Sequence, residues 1–104
     1  MTPPPEPLLG FQRRYLRKLA HGRRPVVFVG DAGVSEAVIR ALGDALSDHE
    51  LVKVKLAGAE GKKAVAEELA KRSDAHLCGV VGHMAILFRP SPDDPVIELP
   101  TRRD

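Results

Sequence analysis

The chain has 104 residues, of which 43% are hydrophobic and 29% are charged, a size and composition typical of one globular domain. Aromatic residues make up only 4% and tryptophan is absent, which argues against an RNA-binding surface built from several stacked aromatic side chains. The single cysteine, Cys78, excludes an internal disulfide, and no apolar run approaches the roughly 18 residues of a membrane span. We therefore expect a protein of the cytoplasm.

The first part of the chain combines a short lead-in with a basic helix. Residues 1–7 are rich in proline and predict a disordered lead-in, followed by one domain over residues 8–99 and a tail over residues 100–104. Residues 8–21 predict an amphipathic helix whose basic side chains fall opposite its apolar side. From residue 13 to residue 24 there are six basic residues and no acid: Arg13, Arg14, Arg17, Lys18, Arg23 and Arg24. Such a density suits a surface that follows phosphates, although a solvated helix face is the alternative.

The rest of the pattern predicts an α/β fold. In chain order it predicts a buried central strand at 25–29, a helix at 34–48, a strand at 50–57, a helix at 62–73 and a hairpin of strands at 75–81 and 84–89. Residues 96–99 could add a short edge strand or pack as an extended tail. The order α-β-α-β-α-β-β predicts a two-layer sandwich with a mixed four-stranded sheet. Few topologies are compatible with this order, because crossover connections are nearly always right-handed.

The second strand has one apolar face and one basic face. Val52 and Val54 alternate with Lys53 and Lys55, so the valines would pack inward and the lysines would point outward. The two lysines are therefore candidates for contact with a polyanion.

A Gly-x-x-Gly loop joins the first strand to the second helix. Gly30 and Gly33 would allow positive φ angles and a close approach of backbone N–H groups to a phosphate, next to a helix N-terminus. A plain strand-to-helix turn is the alternative interpretation. The loop lacks the third glycine of a dinucleotide fingerprint and the Gly-Lys-Ser/Thr of a P-loop, so neither nucleotide-binding loop is indicated.

Four segments together resemble a known family. They read Leu8-x-x-x-Gln12-x-x-x-Leu16-x-x-Leu19-Ala20-His21, Pro25-Val26-Val27-x-Val29-Gly30-x-x-Gly33-Val34, Glu50-Leu51-Val52-Lys53-Val54-Lys55 and Val81-Gly82-x-x-x-x-Leu87-Phe88-Arg89-Pro90. This series resembles the CRM domain, the chloroplast RNA splicing and ribosome maturation family, and within it the stand-alone bacterial YhbY-like members. The resemblance runs over residues 8–99. Two positions depart from the family pattern: Asp31-Ala32 replaces a basic or amide loop interior, and Phe11 replaces a lysine.

The resemblance implies a fold like the C-terminal domain of the third bacterial translation initiation factor. It also implies that the Gly30–Gly33 loop contacts RNA as a KH-domain loop does, and that the protein associates with precursors of the large ribosomal subunit. The expected partner is ribosomal RNA, 23S in large-subunit precursors, with ribosomal proteins as further partners and the chain as a monomer. The candidate RNA-binding residues are Arg13, Arg14, Arg17, Lys18, Arg23, Arg24, Gly30, Asp31, Ala32, Gly33, Lys53, Lys55 and Arg89.

No catalytic or metal-binding set is visible in the sequence. His76 and Cys78 would share one face of a strand, but two ligands do not make a structural zinc site. We expect no enzyme activity, no metal and no cofactor. Two questions stay open: Arg89 could be structural or reach RNA, and the protein could instead be an adaptor that docks on a ribosomal protein without touching RNA.

Overall fold

The computed structural model describes residues 8–58 and 61–101. Its helices are α1 (Gly10–Ala20), α2 (Glu36–His49) and α3 (Lys62–Arg72), and its strands are β1 (Val27–Val29), β2 (Leu51–Leu56), β3 (His76–Val81) and β4 (Met84–Phe88). These seven elements follow the predicted order. The expected lead-in at 1–7 and the last residues of the expected tail lie outside the described residues.

The four strands form one mixed sheet in the order β1-β2-β4-β3. β1 runs parallel to β2, whereas β4 is antiparallel to both β2 and β3. The predicted mixed four-stranded sheet is therefore confirmed, as is the hairpin turn at Gly82, whose φ of 59° suits a tight turn. The prediction of a central first strand is wrong, because β1 lies at an edge of the sheet.

One face of the sheet is covered by α2 and α3. β2 directs Val52, Val54 and Leu56 to this face. They pack there with Leu42 of α2 and Leu69 of α3, and all five side chains are nearly or fully buried. Both helices lie in crossovers that move in the same direction along the sheet, which places them on the same face. We call this the closed face.

α1 packs on the opposite face. Its buried side chains Leu16 and Ala20 contact a separate cluster made by Leu51, Cys78, Ile86 and Phe88. The sheet with α2 and α3 makes the two predicted layers, and α1 adds a partial third one. The sequence could not place this layer, because α1 precedes β1 and no crossover fixes the face that it covers.

The segment after β4 packs as an extended tail and forms no strand within the described residues. Ile97 and Leu99 pack against the cluster under α1. The buried Glu50 carboxylate accepts hydrogen bonds from the backbone N–H groups of Ser91, Val96 and Ile97, with N···O distances of 2.7, 3.1 and 2.8 Å. Of the two alternatives for residues 96–99, the extended tail is confirmed.

Candidate nucleic-acid interface

The basic residues of α1 divide into two pairs. Arg14 and Lys18 are exposed. Arg13 and Arg17 are half-buried, and each donates a hydrogen bond to a backbone carbonyl: Arg13 to Leu8, and Arg17 to Cys78 with an N···O distance of 2.8 Å. The first pair is therefore available to a ligand, whereas Arg17 also holds α1 on β3 and Arg13 bonds to the residue two before the helix.

Arg17 lies directly on β3. A Cβ atom built on Gly79 would lie 2.7 Å from the Arg17 Cδ atom, so a larger residue at position 79 would displace the Arg17 side chain. Gly79 pairs with Ile86, and Ile86 pairs with Lys53. Arg17 thus lies over the row of the sheet that contains Lys53 of β2.

The neighbouring row of the same face is not covered by α1. In register across the sheet it contains Phe28 of β1, Lys55 of β2, Met84 of β4 and Val81 of β3. Phe28 is 62% exposed, Val81 is 56% exposed, and Lys55 is also exposed. We call these four residues the open row.

The connection between α1 and β1 brings further cations to this face. Arg23 donates to the backbone carbonyl of Leu51, and Lys53 Nζ donates to the backbone carbonyl of Arg23, both at 3.0 Å. These two hydrogen bonds place Arg23 of the connection next to Lys53 of β2. Arg23, Arg24 and Lys53 line a cleft of about 500 Å³ together with the acidic residues Asp48 and Glu50.

The Gly30–Gly33 loop is a tight turn at the end of β1. The backbone N–H of Gly33 donates to the Gly30 carbonyl at 3.0 Å, and Gly33 has a φ of 78° that favours glycine. Gly30 has no such constraint, since a Cβ atom there would meet no protein atom within 4 Å. Asp31 and Ala32 are exposed. The fold thus needs a glycine at position 33 for its backbone conformation, whereas Gly30 leaves space in which a ligand can approach the backbone.

The helix after this loop begins at a serine. Ser35 is the N-cap of α2, and its Oγ accepts a hydrogen bond from the Val38 N–H at 3.2 Å. This hydrogen bond satisfies one of the free backbone N–H groups in the first turn of α2. The exposed Asp31 stays in the loop as an acidic side chain.

The loop and α1 lie at two borders of the open row. α1 packs against β2, β3 and β4, whereas the loop begins one residue after Val29, which pairs with Leu56 in the row next to the open row. The open row therefore lies between the basic helix and the loop.

Arg89 is at the opposite end of the strands. It follows Phe88, which pairs with Leu51 at the start of β2, whereas the loop lies near the end of β2. Its guanidinium donates to the backbone carbonyls of Ser73 and Gly43 at 2.8 and 3.0 Å. The structure gives Arg89 a role in joining the tail to α2 and α3, and does not bring it to the other candidate residues.

The basic residues of α1 and β2 form no ion pairs within the described part of the chain, and the acidic residues Asp48 and Glu50 line the cleft beside Lys53. Within residues 8–58 and 61–101, the ion pairs join Arg72 to Glu36 and to Glu68, on the helices of the closed face. The four strands contain no Asp or Glu. Asp31 is the acidic exception beside the open row.

Cys78 and His76 are not poised for chemistry. Burial raises the pKa of the Cys78 thiol to about 12, although nearby Arg17 and Arg13 act in the opposite direction. Burial also lowers the pKa of His76. Among residues 8–58 and 61–101, no three His, Cys, Asp or Glu side chains come together as a metal-binding group.

The candidate residues from the sequence leave out two side chains near this surface. Phe28 falls in the strand predicted to be buried, and its exposure follows from the edge position of β1. Lys62 opens α3, where it lines a cleft of about 240 Å³ beside the Gly30–Gly33 loop and donates to the Gly82 carbonyl at 3.0 Å. The sequence does contain one indication that Lys62 contacts a ligand. A positive charge at a helix N-terminus is unfavourable with the helix dipole, so a lysine there suggests an interaction that compensates for it.

Comparison with known proteins identifies the family. Residues 8–89 match the model of the CRS1 / YhbY (CRM) domain. The chain belongs to this family. The resemblance stated from the four sequence segments is therefore confirmed.

Relatives of similar length are named for RNA binding. A Haemophilus influenzae protein named RNA-binding protein is 38% identical over 93 residues, covering 88% of this chain and 93% of the relative. The Bacillus subtilis protein named probable RNA-binding protein YqeI is 38% identical over 95 residues, covering 89% and 99%.

A solved structure has the same fold. It is the solution structure of a Staphylococcus aureus protein described as a candidate RNA-binding protein, with a TM-score of 0.79 and 38% identity, covering 89% of this chain and 99% of that one. In the part of this chain that is described, none of the helices is long and apolar enough to cross a membrane.

Proposed function

We propose that this protein is a non-catalytic RNA-binding factor of the bacterial cytoplasm. It associates with precursors of the 50S subunit, binds 23S ribosomal RNA there and acts in assembly of the large subunit. Membership of the CRM family and the names of the relatives support RNA as the partner. The family resemblance implies association with precursors of the large subunit, and the role in assembly goes one step beyond that association.

The observation that carries the proposal is the basic, uncovered part of the α1 face. Arg14 and Lys18 are exposed on α1, and Lys55 is exposed on β2 of the same face. The sheet beneath them has no acidic side chain. A surface with this charge attracts a phosphate backbone, and arginine and lysine there position the backbone without reading bases.

Each part of the surface has its own task in this proposal. Arg14, Lys18 and Lys55 contact phosphates directly. Arg13 and Arg17 contribute positive potential, and Arg17 also anchors α1 on β3. Gly30 lets the RNA backbone approach the loop closely, because no side chain projects from its Cα.

The first test removes the two exposed charges of α1. An Arg14→Gln/Lys18→Gln variant should bind single-stranded RNA more weakly, and the slope of log affinity against log salt should become shallower by about 0.7 for each phosphate that the variant no longer neutralises. The matched control is Arg40→Gln/Lys71→Gln, which removes two exposed charges from α2 and α3 on the closed face. Equal effects of the two variants would contradict the proposed surface.

A second test concerns the first glycine of the loop. Gly30→Ala should leave the free energy of unfolding nearly unchanged, because the added methyl group meets no protein atom. It should nevertheless weaken RNA binding if the RNA backbone approaches this Cα. Unaltered affinity would remove Gly30 from the site.

A third test separates the assembly role from an adaptor role. The tagged chain, expressed in the source organism, should sediment with pre-50S particles in a sucrose gradient, and ribonuclease digestion should release it as a free protein. An adaptor would stay bound to a ribosomal protein after digestion. Absence from pre-50S fractions would overturn the assembly role even if purified chain binds RNA.

A further inference from the structure

We propose that Phe28 stacks against one unpaired RNA base, which makes the open row a single-base platform. This inference rests on the RNA-binding function proposed above. It assigns an aromatic contact to a surface for which charge alone has been argued, and it selects single-stranded RNA as the ligand, because the bases of a duplex are already stacked on each other.

The position of Phe28 is not explained by packing. It alternates on β1 with Val27 and Val29, which are buried on the closed face, so its side chain points to the α1 face. There it is 62% exposed, whereas Phe88, on the same face, is buried under α1. A large aromatic side chain that stays in solvent on a folded sheet is a candidate for ligand contact.

Its neighbours suit a nucleotide better than an apolar partner. Phe28 pairs directly with the exposed Lys55, and Lys53 lies two residues away on the same face of β2. Aromatic side chains with adjacent cations form the usual platform for single strands, since the ring takes a base and the cation takes the neighbouring phosphate. Val81 and Met84 continue the apolar surface at the far end of the row.

A single-tryptophan variant gives a direct readout. The chain has no tryptophan, so Phe28→Trp places the only indole at the proposed platform. An unstructured single-stranded RNA dodecamer should quench its fluorescence, whereas heparin, a polyanion without bases, should bind with little quenching. Tyr15→Trp on α1 is the control and should be quenched much less by RNA. Bound RNA that leaves Phe28→Trp unquenched, or equal quenching by heparin, would overturn the proposal.

Affinity measurements test the same contact without a reporter. Phe28→Leu should weaken binding of the dodecamer by about fivefold or more, the lower range for loss of one base–aromatic stack, with an unchanged salt slope because no charge is removed. Tyr15→Leu, the matched control, should change affinity less than twofold. Wild-type affinity in Phe28→Leu would contradict the platform.

The outcomes separate this inference from the proposed function. If the wild-type chain binds no RNA, both fail together. If it binds RNA and Phe28→Leu binds equally well, only the platform fails. If Phe28→Leu instead abolishes a concentration-dependent dimer seen in sedimentation equilibrium while RNA affinity is unchanged, the open row is a contact between two copies and the platform is overturned.

Discussion

The two faces of the sheet differ in how completely they are covered. α2 and α3 bury the closed face, whereas α1 and the tail cover only part of the opposite face and leave Phe28, Lys55 and Val81 in solvent. The same strand serves both faces, since β2 alternates buried valines with lysines. The closed face holds the larger of the two buried clusters, and we propose that ligand contact is made on the opposite face, where side chains stay in solvent.

The largest expected effect is on stability at the closed face. Leu87→Ala removes a fully buried side chain and should lower the free energy of unfolding by about 2–5 kcal/mol, because it leaves a cavity. Phe28→Ala should change it by about 0.5 kcal/mol or less, as an exposed position does. Urea unfolding of both variants measures the contrast. Similar losses in the two would show that the faces do not differ in this way.

The next effect concerns the tail that covers part of the α1 face. Glu50→Ala removes the carboxylate that accepts three backbone hydrogen bonds from the tail, and should lower the free energy of unfolding by about 1–3 kcal/mol. Glu50→Gln keeps one acceptor oxygen and should lose less. Hydrogen exchange should become faster at the Val96 and Ile97 amides. Unchanged exchange in Glu50→Ala would show that the carboxylate does not hold the tail.

An effect confined to alkaline solution follows from the thiol under α1. The ordinary pKa of 9.0 rises to about 12 for Cys78 in the folded protein. Above about pH 9 the unfolded chain releases this proton while the folded chain retains it. The contribution to the free energy of unfolding should therefore decrease by about 1.4 kcal/mol per pH unit until the folded thiol also ionises.

The control for this pH effect is Cys78→Ala, which lacks the thiol but keeps the other groups that titrate in alkali. Between pH 9 and pH 11 the wild type should lose stability faster than this variant, as measured by urea unfolding. Parallel pH dependence of the two proteins would show that the thiol titrates alike in the folded and unfolded chains.

Local patterns predicted the elements well. Each helix and strand boundary falls within two residues of its prediction, because the apolar periodicity of segments such as 50–57 and the turn at Gly82 are properties of neighbouring residues. The family resemblance was likewise carried by local segments. These features need no knowledge of how distant parts of the chain meet.

Long-range contacts account for what the sequence did not reveal. The edge position of β1 exposes Phe28, and this depends on the pairing of β2 with β4 rather than on residues 25–29. The second role of Arg17 depends on its hydrogen bond to Cys78, which is 61 residues away in the chain. Arg89 likewise contacts α2 across 46 residues. A charge pattern shows which residues are basic, but not which of them are already engaged by the fold.

Mapping of backbone amide shifts in an NMR titration with single-stranded RNA tests most directly whether the α1 face is the binding surface. We expect the largest changes at Phe28, Lys55, Arg14, Lys18 and the Gly30–Gly33 loop, and small changes over α2 and α3. Changes concentrated on α2 and α3, with the open row unaffected, would contradict this assignment.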